Sequence, residues 1–278
     1  MLCYFVSDLH GKVERYKKLF NLIIQEKPRA VFFGGDLLPH SFDGKNFIFD
    51  FLEPNFRYIK KNLGSNYPQL FVIFGNDDAK SEEHSILKLE EGKLISYCHF
   101  RKIAFENFSV IGYSNTPPSP FLLKDWEKYD VSRYLEPGCI SPEDGKRTVE
   151  ITEHEKKYST IKNDLDEMAS GQKLTDSILL FHCPPYQTNL DRAALDGRTI
   201  DHVQLDVHVG SIAIRKFIES KQPLMSLHGH IHESVRITGS WSDRIGDTFC
   251  FSAAHDSKEL SLVKFDPHNP HNAERILV

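Results

Sequence analysis

Five short apolar runs in this chain each end on an acid, an amide or an imidazole. Leu2–Val6 runs into Asp8 and His10, Arg29–Phe33 into Asp36, and Leu70–Phe74 into Asn76, Asp77 and Asp78. Ser177–Phe181 runs into His182, and Leu224–Leu227 into His228, His230 and His232. The runs have strand length, and helical segments separate them in the first half. Lys12–Gln25 places Val13, Tyr16, Leu19, Phe20 and Ile23 at helical spacing, Phe47–Leu63 is helical with a kink or interruption at Pro54, and His84–Glu91 is a short helix. Strands alternating with helices read as βαβ units with a parallel sheet. The carboxyl ends of such strands share one edge, where ligands bind. The order therefore predicts that Asp8, His10, Asp36, Asn76, His182, His230 and His232 meet in one cleft.

Asp8 and His10 stand at i and i+2, as do His230 and His232, so each pair points one way on an extended segment. Carboxylate, amide oxygen and imidazole together suit Mn, Fe or Zn better than Ca or a thiolate-seeking metal. Seven ligands are too many for one tetrahedral ion, so two metals are the economical reading. Each piece alone has a plainer reading. Gly34-Gly35-Asp36 fits a simple turn, Asn76-Asp77 a tight turn, and His182 before Pro184-Pro185 a loop histidine. Their conjunction, in order and each after an apolar run, is the specific signal.

The rest of the chain is less regular. Leu94–Tyr97, Lys102–Phe105 and Phe108–Tyr113 read as strands. Residues 114–175 read as a solvated surface insertion, with a lid over the site as the alternative. Within it Val149–Met168 has the pattern of an exposed helix. Ile212–Ser220 reads as a helix, and Val235–Thr238, Thr248–Ser252 and Leu260–Phe265 as a β-rich finish. The whole chain is taken as one domain.

Lys plus Arg total 34 against 39 Asp plus Glu, a formal charge of −5, which disfavours a broad nucleic-acid surface. The five cysteines form no CxxC pair, so neither a disulfide frame nor a thiolate zinc site is expected. Leu2–Val6 reads as a strand rather than a secretory leader, and no run reaches the ~18–20 apolar residues of a membrane span. The expectation is a reduced, cytoplasmic protein. The 14 histidines are the one unusual count, and the apolar-run motifs account for part of it.

The ordered motifs resemble the calcineurin-like metallophosphoesterase superfamily. That family's pattern of DxH, GD, GN with a following acid, a lone His and GHxH is met by Asp8–His10, Gly35–Asp36, Gly75–Asp78, His182 and Gly229–His232. The stretches 181–186, 208–211 and 228–233 are similar to the Icc-related predicted phosphoesterases. The resemblance implies a four-layer α/β/β/α sandwich of two mixed sheets with a dimetal centre. One ion takes Asp8, His10 and His232, the other Asn76, His182 and His230, and Asp36 bridges them. His228 is not a ligand by that pattern. Manganese is the first expectation, with Fe, Zn, Ni or Mg as alternatives. A hydroxide bridging the ions would attack phosphorus, with Asp36, Asn76, Asp77 and His182 as the catalytic set.

Many relatives carry His after GN, where this chain has Asp77. An aspartate is a poor proton donor at neutral pH, so substrates with good leaving groups, such as aryl phosphodiesters or nucleotides, are expected. His40, His208 and Arg192, with Arg198 beside it, are the candidate substrate contacts. Backbone N–H groups near His208 offer a phosphate seat, with a plain helix cap by Ser211 as the alternative. Gly35-Asp36-Leu37-Leu38-Pro39-His40 lacks the Asp-Arg of serine/threonine phosphatases and the Tyr of purple acid phosphatases. The expected partner is a small phosphorylated molecule, with the oligomeric state left open. A DNA nuclease and a catalytically silent interaction module on the same fold are the rival readings.

Overall fold

The computed structural model describes residues 1–40 and 46–278. The first half holds β1 (Cys3–Val6), α1 (Val13–Glu26), β2 (Ala30–Gly34), α2 (Glu53–Leu63), β3 (Gln69–Ile73), α3 (Glu83–Glu91) and β4 (Ser96–Tyr97). Next come β5 (Lys102–Phe105), β6 (Phe108–Tyr113), α4 (Glu153–Tyr158), α5 (Ile161–Met168) and β7 (Ser177–Phe181). The chain closes with β8 (Thr199–Ile200), β9 (Val203–Gln204), α6 (Ile212–Lys221), β10 (Met225–His228), α7 (Ser234–Thr238), β11 (Ser242–Ile245), β12 (Thr248–Ser252), β13 (Ser261–Phe265) and β14 (Glu274–Leu277).

Among the described residues the strands form two six-stranded mixed sheets and the small β8–β9 hairpin. The first sheet runs β14-β13-β1-β2-β3-β4, and the second β11-β12-β10-β7-β6-β5. β1, β2, β3 and β4 are parallel, as are β6, β7, β10 and β12, while β13, β14, β11 and β5 pair antiparallel. Strand alternation divides the apolar residues between layers. Tyr4, Val6, Val31 and Phe33 face the core shared with α1 and α2, through Tyr16, Leu19, Ile23, Phe56 and Ile59. Phe5, Phe32, Phe71 and Ile73 face the other way and meet Ile178, Leu180, Met225 and Leu227 of the second sheet. Leu179 and Phe181 in turn pack on Ile161, Leu165, Ile214 and Phe217 of α5 and α6. Three cores between four layers give the α/β/β/α sandwich.

Phe47–Leu63 is helical as expected, and it is interrupted at Pro54: the π-helical turn Ile48–Leu52, closed by the Glu53 N–H on the Ile48 carbonyl, passes into α2 just before the proline. Other expectations are corrected. Val235–Thr238 is not a strand but part of α7, which ends at Gly239 with φ 74°. Val149–Met168 is two helices. Thr152 and Glu155 cap α4 reciprocally, and Thr160 caps α5 after an extended break at Ser159. Residues 114–148 are solvated in part, with Phe121, Leu122 and Tyr134 exposed, and anchored inside in part. Trp126 is fully buried with its indole N–H donating to the Asp78 carbonyl at 2.8 Å, and Lys124 and Glu127 form an enclosed ion pair.

Candidate metal centre

β1, β2 and β3 end side by side, and β7 and β10 end opposite them in the second sheet. The two rows of strand ends are joined where His182 Nδ1 lies 2.7 Å from the Gly34 carbonyl. That contact puts a proton on Nδ1 and turns the Nε2 lone pair inward. Nε2 lies 3.3 Å from Asp36 Oδ2 and 3.1 Å from Asn76 Oδ1. Across the cleft His232 Nε2 lies 3.3 Å from Asp8 Oδ1 and 3.1 Å from His10 Nε2, and His10 Nε2 lies 3.9 Å from Asp36 Oδ2.

Tight backbone conformations aim these groups. Asp8, His10, Asp36 and His230 all have positive φ, at 56°, 45°, 52° and 73°. Four strained non-glycine residues in one cluster are the signature of a functional site held in place by its surroundings. Neighbouring loops supply the hold: the N–H groups of Asp8 and His10 donate to the carbonyls of Gly35 and Asp36, at 3.0 and 2.8 Å. Gly75 is required by space, since a Cβ there would lie 2.2 Å from Asp36 Oδ1 and 2.6 Å from His182 Cε1.

Asp8, His10, Asp36 and His232 offer ligand atoms within 4.8 Å of one another, and so do Asp36, His182 and His230. Asp36 belongs to both groups. The donor set fits divalent ions: Asp8 and Asp36 are buried, and the groups converging on them are imidazoles, with no lysine or arginine paired to either carboxylate among the described residues. Without a cation, protons do the neutralising. Burial opposes a charged His182, but Asp36 and Asp8 outweigh it and raise the imidazole to about 10. Burial likewise opposes charge on Asp8 and Asp36, yet the surrounding histidines hold both carboxyls below their usual range. His230, facing mainly burial, falls to about 3.

Asp77 sits at the rim, its N–H donating to Asp36 Oδ1 at 2.8 Å and its Oδ2 3.5 Å from His10 Nδ1. Burial and Asp36 raise its carboxyl, against the pull of His10, His40 and His182. Two supporting residues have roles that the sequence reading did not assign. Asp78 is fully buried and accepts the N–H groups of Leu37, Leu38 and Gly75 at 2.7–3.1 Å, clamping the Asp36 and Asn76 loops together. Arg15, on the buried face of α1, donates to the Asp8 carbonyl at 2.7 Å. His228 donates from Nδ1 to the Cys183 carbonyl at 2.9 Å and belongs to neither donor group.

The centre opens into a cavity of about 1000 Å³. Asp36, Asn76, Asp77, His230 and His232 line one end. His208 lines it too, its Nδ1 2.8 Å from Asp191 Oδ1. Arg192 is outside that lining, its guanidinium bonded to Asp196 and the Ala193 carbonyl, whereas Arg198 of the same loop lines the cavity. His40 is exposed and outside the lining. Ser211 is the helix cap, accepting the Ile214 N–H at 3.0 Å.

Residues 1–234 match the calcineurin-like phosphoesterase family. This chain belongs to that family. Its relatives include the uncharacterized protein MJ1162 of Methanocaldococcus jannaschii, 30% identical over 214 residues that span 73% of this chain and 74% of that one. The fold is similar to TT1561 of Thermus thermophilus, with a TM-score of 0.57 at 15% identity over 99% of this chain and 98% of the other. Another solved structure superposes with a TM-score of 0.61 at 14% identity, over 99% and 98% of the two chains. Among the described residues no helix is long and apolar enough to cross a membrane.

Proposed function

We propose that this chain is a dimetal-dependent phosphodiesterase or phosphatase acting on small-molecule esters. The observation that carries this reading is the pair of donor groups sharing Asp36 at the wall of a large cavity. Asp8, His10, Asp36 and His232 would hold one ion, and Asp36, Asn76, His182 and His230 the other; the mixed oxygen and nitrogen donors suit Mn, Fe or Zn, and manganese is the first of these to test. Two such ions, when bound, lower the pKa of water and neutralise phosphoryl oxygens.

The chain's own residues set the rest. His182 is fixed by Gly34 so that Nε2 stays a ligand atom. The Asp77 N–H holds one oxygen of Asp36, leaving the other for the ions. Where a proton donor to the leaving group is wanted, Asp77 supplies a carboxyl engaged with His10, and this favours esters whose leaving group departs as a stable anion. The five free cysteines, four of them buried, suit a reducing cytoplasmic compartment.

Metal content and turnover of nitrophenyl mono- and diesters with Mn test the reading, with Asn76→Ala and His182→Ala as controls. Turnover that falls at least ~100-fold in both variants is expected. Bound metal with no turnover on any ester would instead favour a silent interaction module, and salt-sensitive DNA cleavage a nuclease.

A further inference from the structure

The cavity beside the donor cluster is larger and more apolar than phosphate alone requires. Residues 114–148 form one wall, with Pro118, Val131 and Pro137 in the lining, and residues 193–212 form another, with Leu205, Val209 and Ile212. The walls meet at two places: the Ile212 N–H donates to Asp130 Oδ2 at 2.7 Å, and a Cβ on Gly138 would lie 2.4 Å from Ile200 Cδ1. Phe121, Tyr134 and Ile200 line the space and remain 59%, 67% and 37% exposed. Apolar surface left open around a concave site marks it for an apolar occupant.

Charge narrows the occupant further. Beyond the metal cluster the lining holds Asp130, Glu136, Asp206 and Glu233, and Arg198 is its only lysine or arginine among the described residues. Asp206 is engaged by the Tyr186 hydroxyl at 2.5 Å and the His208 N–H at 2.8 Å, and Asp130 by the start of α6. A second phosphate or a carboxylate on the ligand would enter among carboxylates with one guanidinium to meet it. An uncharged apolar body meets no such opposition.

We infer that the alcohol portion of the substrate is a bulky, uncharged, apolar group seated between these two walls, so that the site takes phosphate esters of apolar alcohols in preference to polar or polyanionic ones. The inference rests on the phosphoesterase reading above and deepens it.

A series of nitrophenyl phosphodiesters tests it, because the leaving group stays constant while the second alcohol changes from methyl to hexyl to phenyl to thymidine. The hexyl and phenyl arms separate alkyl from aryl sources of the same chemistry, and thymidine exceeds both in bulk while being polar. With Mn-loaded protein, kcat/KM for the better of hexyl and phenyl should exceed methyl by about tenfold or more, and thymidine should fall below it. In Leu205→Ser and in Ile200→Ser that ratio should fall at least threefold toward unity. A ratio taken within one preparation does not depend on how much of a variant is folded. A flat series, a preference for thymidine, or a ratio unchanged in both variants overturns the inference while leaving the phosphoesterase reading intact. No turnover on any ester overturns that reading instead. Calorimetric binding of phenylphosphonate and methylphosphonate to the metal-loaded protein then decides the inference alone: about tenfold tighter binding of the phenyl compound supports it, and equal binding overturns it.

Discussion

Gly229 shows how closely the centre is built. A Cβ there would lie 2.0 Å from Ser7 Oγ and 2.6 Å from Asp8 Oδ2, so the loop between β10 and His230 passes against the first carboxylate with no room for a methyl group. Gly229→Ala should push Asp8 aside and weaken metal affinity by ~10–100-fold while the protein still unfolds cooperatively; metal titration and a thermal melt on the same sample check this. Asp78 acts by a different route, through the backbone of the ligand loops. Asparagine at that position has one acceptor oxygen in place of two and turns an NH₂ toward backbone N–H groups. Asp78→Asn should cost ~2–4 kcal/mol in urea unfolding, and a change within ~0.5 kcal/mol would remove the clamp from the account. The candidate donors that the fold brings together were legible because each follows an apolar run in a fixed order. The roles of Asp78 and Arg15 were not, because their partners are backbone atoms of loops brought near only by the fold.

Elements read well where an apolar stripe or an unbroken apolar run marks the buried faces, and poorly where they are short or polar. α1 shows its apolar stripe in the sequence, and β7 is a continuous apolar run because both faces are covered. α7 was misread as a strand because its five residues include Val235, Ile237 and Thr238, which favour strands, and it is too short to show a helical period. β11 and β14 passed unnoticed, being polar edge strands. Within 114–148, charge alone would place Lys124 and Glu127 in solvent, yet they satisfy each other inside. The same segment reaches α6 through Asp130, which accepts from the Ser211 hydroxyl at 2.5 Å and the N–H groups of Ile212 and Ala213 at 2.7 and 3.2 Å. Asp130→Ala removes that tie while leaving the Ser211 cap. It should cost ~1–2 kcal/mol and speed proteolysis within residues 114–148. An unchanged cleavage pattern would mean that the wall is held elsewhere.

The whole molecule depends on two sheets staying in register, and the chain crosses between them at Cys98–His99. The Cys98 N–H donates to the Val72 carbonyl of the first sheet at 2.8 Å, and His99 bridges Gly112 of the second. The His99 ring lies edge-on to Trp126 at 4.9 Å between centroids and stacks on Tyr113 at 5.9 Å. The Ser114 N–H donates to its Nδ1 at 3.0 Å, so the neutral ring carries its proton on Nε2. Burial, with Lys80 and Lys128 adding to it, lowers this imidazole to about 3. An unfolded chain binds that proton near pH ~6.5, whereas the folded one refuses it until about pH 3. Stability contributed by the neutral ring is therefore full above ~6.5 and declines as pH falls from there toward 3. Between pH ~6.5 and ~5 the loss should be ~1–2 kcal/mol. Urea unfolding of the wild type and His99→Phe at both pH values isolates it. The phenylalanine variant loses the Ser114 acceptor equally at each pH, and the metal cluster titrates alike in both proteins, so the difference in slope belongs to His99. The wild type should lose more stability than the variant on acidification, and parallel slopes would show that the crossing tolerates a charge.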